Sequence, residues 1–120
     1  MTNEKRAALA YLSGVLLIPG NRRYNSVYDY SRQVCVLLSC NKNGNYLSVY
    51  DYDRRSYIAG NVPSFYDYAS SAYMNLNKTG FNTISCYDYE SASYANVRIT
   101  GNSISIYDYQ TGSYYNYMIQ

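Results

Sequence analysis

Polar and apolar residues alternate with a period of two over short stretches of most of this chain. Ser103-Ile104-Ser105-Ile106-Tyr107 alternates, and so does Tyr94-Ala95-Asn96-Val97-Arg98-Ile99. Both runs are rich in residues that suit a pleated, half-buried surface, which predicts strands. Turn signals separate them: Thr100-Gly101-Asn102 on one side and Gln110-Thr111-Gly112-Ser113 on the other. Both linkers are short enough for hairpins. The chain's start breaks the pattern, because Ala7–Ile18 is an almost continuous apolar run. It predicts a short helix over roughly residues 3–12, capping the strands.

The alternating stretches are copies of one unit. Its core is S-x-Y-D-Y, written at 26–30, 48–52, 64–68, 85–89 and 105–109. Three variable residues, a Ser-Tyr pair and a β-type run follow, then Gly-Asn, then a run into the next copy. Gly-Asn stands at 20–21, 44–45, 60–61 and 101–102, with Gly80-Phe81-Asn82 as a variant. The central residues Asp29, Asp51, Asp67, Asp88 and Asp108 are 22, 16, 21 and 20 positions apart. A period near twenty marks a repeat architecture in which each unit is one supersecondary element. Here that element is a pair of strands. The expectation is one all-β domain over residues 1–120, with an N-terminal cap at 1–12 and about five hairpin units.

Two topologies fit ten such strands. In a parallel β-solenoid, equivalent strands stack about 4.8 Å apart. The five aspartates would then form one ladder, each neighbouring pair repelling by roughly 3–4 kcal/mol at an effective dielectric near 20. In an antiparallel meander a second strand intervenes and the repulsion roughly halves. Unequal repeat lengths also suit a meander, whose loops are free to vary. The meander is the expectation, as an open sheet or a barrel. An open one would leave an unpaired edge at its last unit, able to pair with another chain.

Alternation then assigns faces. The residue before Tyr-Asp-Tyr is Val27, Val49, Phe65, Cys86 or Ile106, so its face should meet the core. Asp29, Asp51, Asp67, Asp88 and Asp108 share that face near a strand end, where each carboxylate can accept hydrogen bonds from loop amides as in an Asx-turn. These aspartates are therefore expected to be structural turn caps. Opposite them lie Tyr28, Tyr50, Tyr66, Tyr87 and Tyr107, together with Tyr30, Tyr52, Tyr68, Tyr89 and Tyr109. Those ten tyrosines form the candidate binding or assembly face, an aromatic ladder packed across strands with wet hydroxyls.

Composition narrows the chemistry. Tyrosine, with 19 copies, dominates, and histidine and tryptophan are absent. Without histidine the commonest general base and metal ligand is missing. No G-x-S-x-G elbow, zinc-type cysteine spacing or glycine-rich phosphate loop with its lysine occurs. The aspartates recur identically in every unit, whereas catalytic sites usually break a repeat's symmetry. No enzyme, cofactor or metal site is expected. The net charge of +2 argues against nucleic acid. It is uneven along the chain: residues 1–60 carry eight basic and four acidic groups, and residues 61–120 two and four. Cys35, Cys40 and Cys86 are odd in number, and Cys35 and Cys40, five apart, point to opposite faces of a strand, so no disulfide framework is expected, which points to a reducing compartment such as the cytoplasm. The apolar N-terminal run is interrupted by Tyr11, Ser13 and Gly14 and precedes no small-x-small cleavage site, so a cap is expected there rather than a secretory signal. No stretch is long enough to predict a spanning helix.

Asp108-Tyr109-Gln110-Thr111-Gly112 resembles the D-x-x-T-G hairpin of β-propeller blades. A blade needs four strands, however, and this chain would supply fewer than three blades. The Gly-Asn and Tyr-Asp pattern is similar to the tyrosine-aspartate repeats of the RHS family, but a second tyrosine stands where their Gly-Arg-Leu would begin. Choline-binding hairpin modules share the repeat length and the aromatic hairpins, without the tryptophans. None of these carries a function across. The sequence leads to a structural or self-assembling repeat protein that forms a homo-oligomer. The alternative is a module that stacks a glycan or another ligand on its tyrosines.

Overall fold

The computed structural model describes residues 1–20 and 22–120. Ten antiparallel strands follow one helix. The helix, α1, spans Asn3–Leu17, and the strands are β1 (Ser26–Asp29), β2 (Val34–Asn43), β3 (Tyr46–Asp51), β4 (Ser56–Asn61) and β5 (Ser64–Asp67), then β6 (Ala72–Lys78), β7 (Thr83–Asp88), β8 (Ser93–Thr100), β9 (Ser103–Asp108) and β10 (Ser113–Ile119). Each strand pairs with its neighbours in sequence, and β1 pairs with β10 through Val27 opposite Ile119. The meander is therefore a closed barrel. Among the described residues the strands form neither a solenoid stack nor an open sheet, so the edge-to-edge route to assembly is removed.

Two kinds of hairpin define the barrel's ends. At one end, four residues follow each repeat aspartate before the next strand begins. The last of the four takes a left-handed backbone in every copy: Gln33 (φ 55°), Arg55 (53°), Ser71 (55°), Ala92 (52°) and Gly112 (70°). Only the last unit uses glycine, the residue that adopts this conformation without strain. At the opposite end, β2–β3 and β8–β9 join through Gly44-Asn45 and Gly101-Asn102, with the glycines at φ 62° and 60°. Val62-Pro63 joins β4 to β5 there, and the longer stretch 79–82 joins β6 to β7.

The helix runs to Leu17 rather than stopping near residue 12, and it fills the barrel. Lys5 through Gly14 are all buried, on every side of the helix. A helix without a wet face has to be enclosed. Ten strands make a lumen wider than side chains alone can fill, and a slim helix occupies it. Ala7, Ala8, Ala10 and Gly14 keep it slim. At Gly14 an added Cβ would lie 2.5 Å from Ile119 Cδ1. Around the helix pack the inward residues of the strands, among them Val27, Val49, Phe65, Cys86 and Ile106, all fully buried. Thr2 begins the helix, its hydroxyl accepting the Lys5 amide at 3.1 Å. No helix among the described residues is long and apolar enough to cross a membrane.

Candidate functional site

The wall carries the tyrosines outside and the aspartates inside. Tyr50, Tyr66, Tyr87 and Tyr107 each sit half-buried between two other rings in edge-to-face contact. The partners are Tyr52 and Tyr57, Tyr68 and Tyr73, Tyr89 and Tyr94, and Tyr109 and Tyr114, with ring centroids 4.7–4.8 Å apart. This is the geometry that aromatic quadrupoles favour. The outer rings are more than half exposed. Neighbouring triads adjoin, since Tyr68, Tyr89 and Tyr109 donate their amides to the carbonyls of Tyr57, Tyr73 and Tyr94. The result is an aromatic belt around most of the barrel. Its interruption is the first unit, where Tyr28 packs on Tyr30 alone and faces Cys35 across the strand pair.

Tyr57, Tyr73, Tyr94 and Tyr114 were not among the ten tyrosines singled out from sequence. Their signal is the Ser-Tyr pair of the repeat, present at 56–57, 93–94 and 113–114 and as Ala72-Tyr73. Beside the belt the wall is polar, and the Asn75 and Asn96 amides donate to the hydroxyls of Tyr89 and Tyr109 at 3.3 and 3.2 Å. Two shallow grooves cross it. One, of about 670 Å³, is lined by Tyr50, Tyr57 and Tyr68 with Ser39, Ser48 and Asn41. The other, of about 820 Å³, is lined by Tyr107, Tyr109 and Tyr114 with Ser85, Asn96 and Ser105.

Inside, the five repeat aspartates form a ring around the first turns of α1, each at most 1% exposed. Across the strand pairs their partners are Tyr117, Leu38, Ile58, Met74 and Ala95, so no two aspartates face each other directly. Asp29, Asp51, Asp88 and Asp108 each accept the amide two residues on, at 2.9–3.4 Å. Asp67 instead accepts the Ser70 hydroxyl at 2.7 Å.

Buried carboxylates also need cations, and two sources supply them. In the first two units the loop does so: Arg32 and Arg54, three residues after Asp29 and Asp51, each place Nε 2.7 Å from the carboxylate. In the last three units that position is Ser70, Ser91 or Thr111, and cations arrive from elsewhere. Lys5 Nζ lies 2.6 Å from Asp88 and 3.7 Å from Asp67, which Arg54 also reaches at 2.8 Å. Arg6 meets Asp108 at 2.9 Å while its guanidinium lies 3.7 Å over the Tyr115 ring. The positive end of the helix dipole points into the same ring.

Burial alone raises the Asp29 carboxyl, but hydrogen bonds from Arg32 and Ser31 outweigh it and hold the group below the usual carboxylate range. The Tyr117 hydroxyl is pushed up by burial and then by Asp29. Burial, followed by the Asp88 carboxylate, pushes the Cys86 thiol up to about 12. Cys35 is exposed and Cys40 half-buried, and all three thiols are free. Sequence reasoning missed Lys5, Arg6, Arg32 and Arg54 as partners of the ring. The legible signal was a largely apolar helix carrying two adjacent cations at its start. No family model, no curated protein and no solved structure matches the chain.

Proposed function

We propose that the protein is a non-enzymatic scaffold that associates with copies of itself through the tyrosine belt. The observation that carries this reading is the exposure of the outer rings. Tyr52, Tyr57, Tyr68, Tyr73, Tyr89, Tyr94, Tyr109 and Tyr114 are each at least 51% exposed and lie side by side on a closed wall. Tyrosine supplies rigid, amphipathic contact area at small entropic cost, and serine and asparagine beside it supply adaptable hydrogen bonds, as in antibody combining sites. Four nearly identical triads offer the same patch repeatedly, and an isologous contact uses one patch on both copies. The aspartates, buried and ion-paired, act in this reading as structural groups that hold hairpins and helix together.

A second reading has the Tyr-Ser-Asn grooves stacking glycan rings. It is supported by the two grooves and the Asn75 and Asn96 amides beside exposed ring faces. The grooves lie on a convex wall and enclose little of a small ligand, which favours the larger contact.

Light scattering across a wide concentration range tests the proposal on wild type and on Tyr68→Ser/Tyr73→Ser/Tyr89→Ser. These rings are exposed, so the variant should keep its fold by circular dichroism. Wild type should grow in size with concentration, and the variant should not. A wild type that stays monomeric throughout sinks self-association, and glycan-array binding by that monomer would put the second reading in its place.

A further inference from the structure

The barrel separates its charges by end. All eight acidic side chains lie at the aspartate end: the five ring residues, Asp53 and Glu90 in the hairpin loops, and Glu4 in the first helical turn. Five basic side chains share that end, which leaves it at −3. They are Lys5, Arg6, Arg32, Arg54 and Arg55. The other five, Arg22, Arg23, Lys42, Lys78 and Arg98, are all exposed and lie toward the opposite end, with no acidic side chain beside them. Among the described residues none of these five forms an ion pair. Its +5 exceeds the chain's net charge of +2.

The same end is also apolar at its centre and its tips. The C-terminal turn of α1 emerges there with Leu16, Leu17 and Ile18 only half-buried. Around it stand two connection tips, Val62 at 53% exposed and Phe81 at 85%, the highest exposure of any large hydrophobic residue described. Arg22, Arg23 and Lys42 line a pocket of about 250 Å³ beside Tyr24 and Ile18.

We infer that this end docks on an anionic lipid surface, with Phe81 and Val62 entering the headgroup–acyl boundary and the five cations facing the phosphates and carboxylates above it. An apolar mouth with cations free of ion pairs beside it matches both layers of such a surface. A nucleic acid would need a run of cations along a groove of stacking faces, whereas of these cations only Arg98 lies beside the belt tyrosines and Arg22, Arg23 and Lys42 cluster at the apolar mouth beside Ile18. A second copy offers a poorer match. The three exposed carboxylates at its aspartate end are already engaged, Glu4 and Asp53 by Arg32 and Glu90 by Lys5.

The test is flotation of the full chain with vesicles of phosphatidylcholine alone and of phosphatidylcholine with phosphatidylserine, at low and high salt. Binding is expected only with phosphatidylserine and should be released by salt. At about 1 kcal/mol per surface cation, Arg22→Gln/Arg23→Gln should weaken it roughly thirtyfold. The chain has no tryptophan, so Phe81→Trp provides a single reporter, whose emission should shift to the blue on phosphatidylserine vesicles. Circular dichroism and melting check that both variants fold. Absence of flotation, equal flotation with both vesicle types, or an unshifted reporter on floated protein overturns the inference. So does retention on RNA, or growth of particle size, that the double arginine variant abolishes without any vesicle binding.

Discussion

Lys5 and Asp88 stand 83 positions apart in sequence and meet at 2.6 Å, with side chains 1% and 0% exposed. This contact ties the first turn of the central helix to the wall, and it leaves Asp88 compensated only while the helix is seated. Removing one partner of a buried pair strands the other charge and costs about 3–5 kcal/mol. Lys5→Met should lower stability by that order in urea titration. Lys5→Met/Asp88→Asn should recover part of the loss, because Asp67 keeps Arg54 at 2.8 Å. A single variant within 1 kcal/mol of wild type would mean that the ring is solvated by other means.

Asp29 sets a pH dependence. Its folded-state pKa lies below the ordinary value of about 3.9, so the unfolded chain binds the proton more readily. The stability it contributes is present in full above that ordinary value and is lost as pH falls through the lower folded one. Urea midpoints measured from about pH 6 down to pH 2 should therefore fall on the acid side. Asp29→Asn should be less stable at neutral pH and should flatten that fall. An acid limb of unchanged steepness would assign it to other groups.

The five left-handed loop positions predict opposite effects of glycine. A non-glycine residue there costs roughly 1–2 kcal/mol, partly offset by the unfolded-state freedom that glycine adds. Ala92→Gly should thus stabilise by about 0.5–1 kcal/mol and Gly112→Ala destabilise by a similar amount. Calorimetric melting of the two variants checks the signs. Equal shifts in one direction would show that the loops are not equivalent.

The cysteines should label in order of access. Only thiolate reacts, and Cys86 is fully buried with its thiol pushed up to about 12. Maleimide should modify Cys35 promptly in the native state, Cys40 more slowly and Cys86 only after unfolding. Mass spectrometry of timed samples reads this directly. Native labelling of Cys86 at the rate of Cys35 would contradict a filled barrel.

The repeat determined by itself that the chain is a series of hairpins and which side each residue takes. Both follow from local rules: period-two alternation, glycine and asparagine at turns, and an aspartate placed to meet its own loop. From those, the inward aspartates and outward tyrosines could be read at every copy. Closure could not, because the pairing of Val27 with Ile119 depends on twist and curvature accumulated over ten strands, and no single hairpin encodes it. The helix's location followed from closure. Lys5 and Arg6 looked like solvated charges at a helix start until the barrel placed them inside a ring of carboxylates. That contact also explains what alternation left unexplained. The first two loops carry Arg32 and Arg54 where the others carry Ser70, Ser91 and Thr111, because the helix brings cations to the later aspartates. Charge balance among groups 62 to 102 residues apart is a property of the assembled interior, and it is decided only when the chain has closed around its own N-terminal helix.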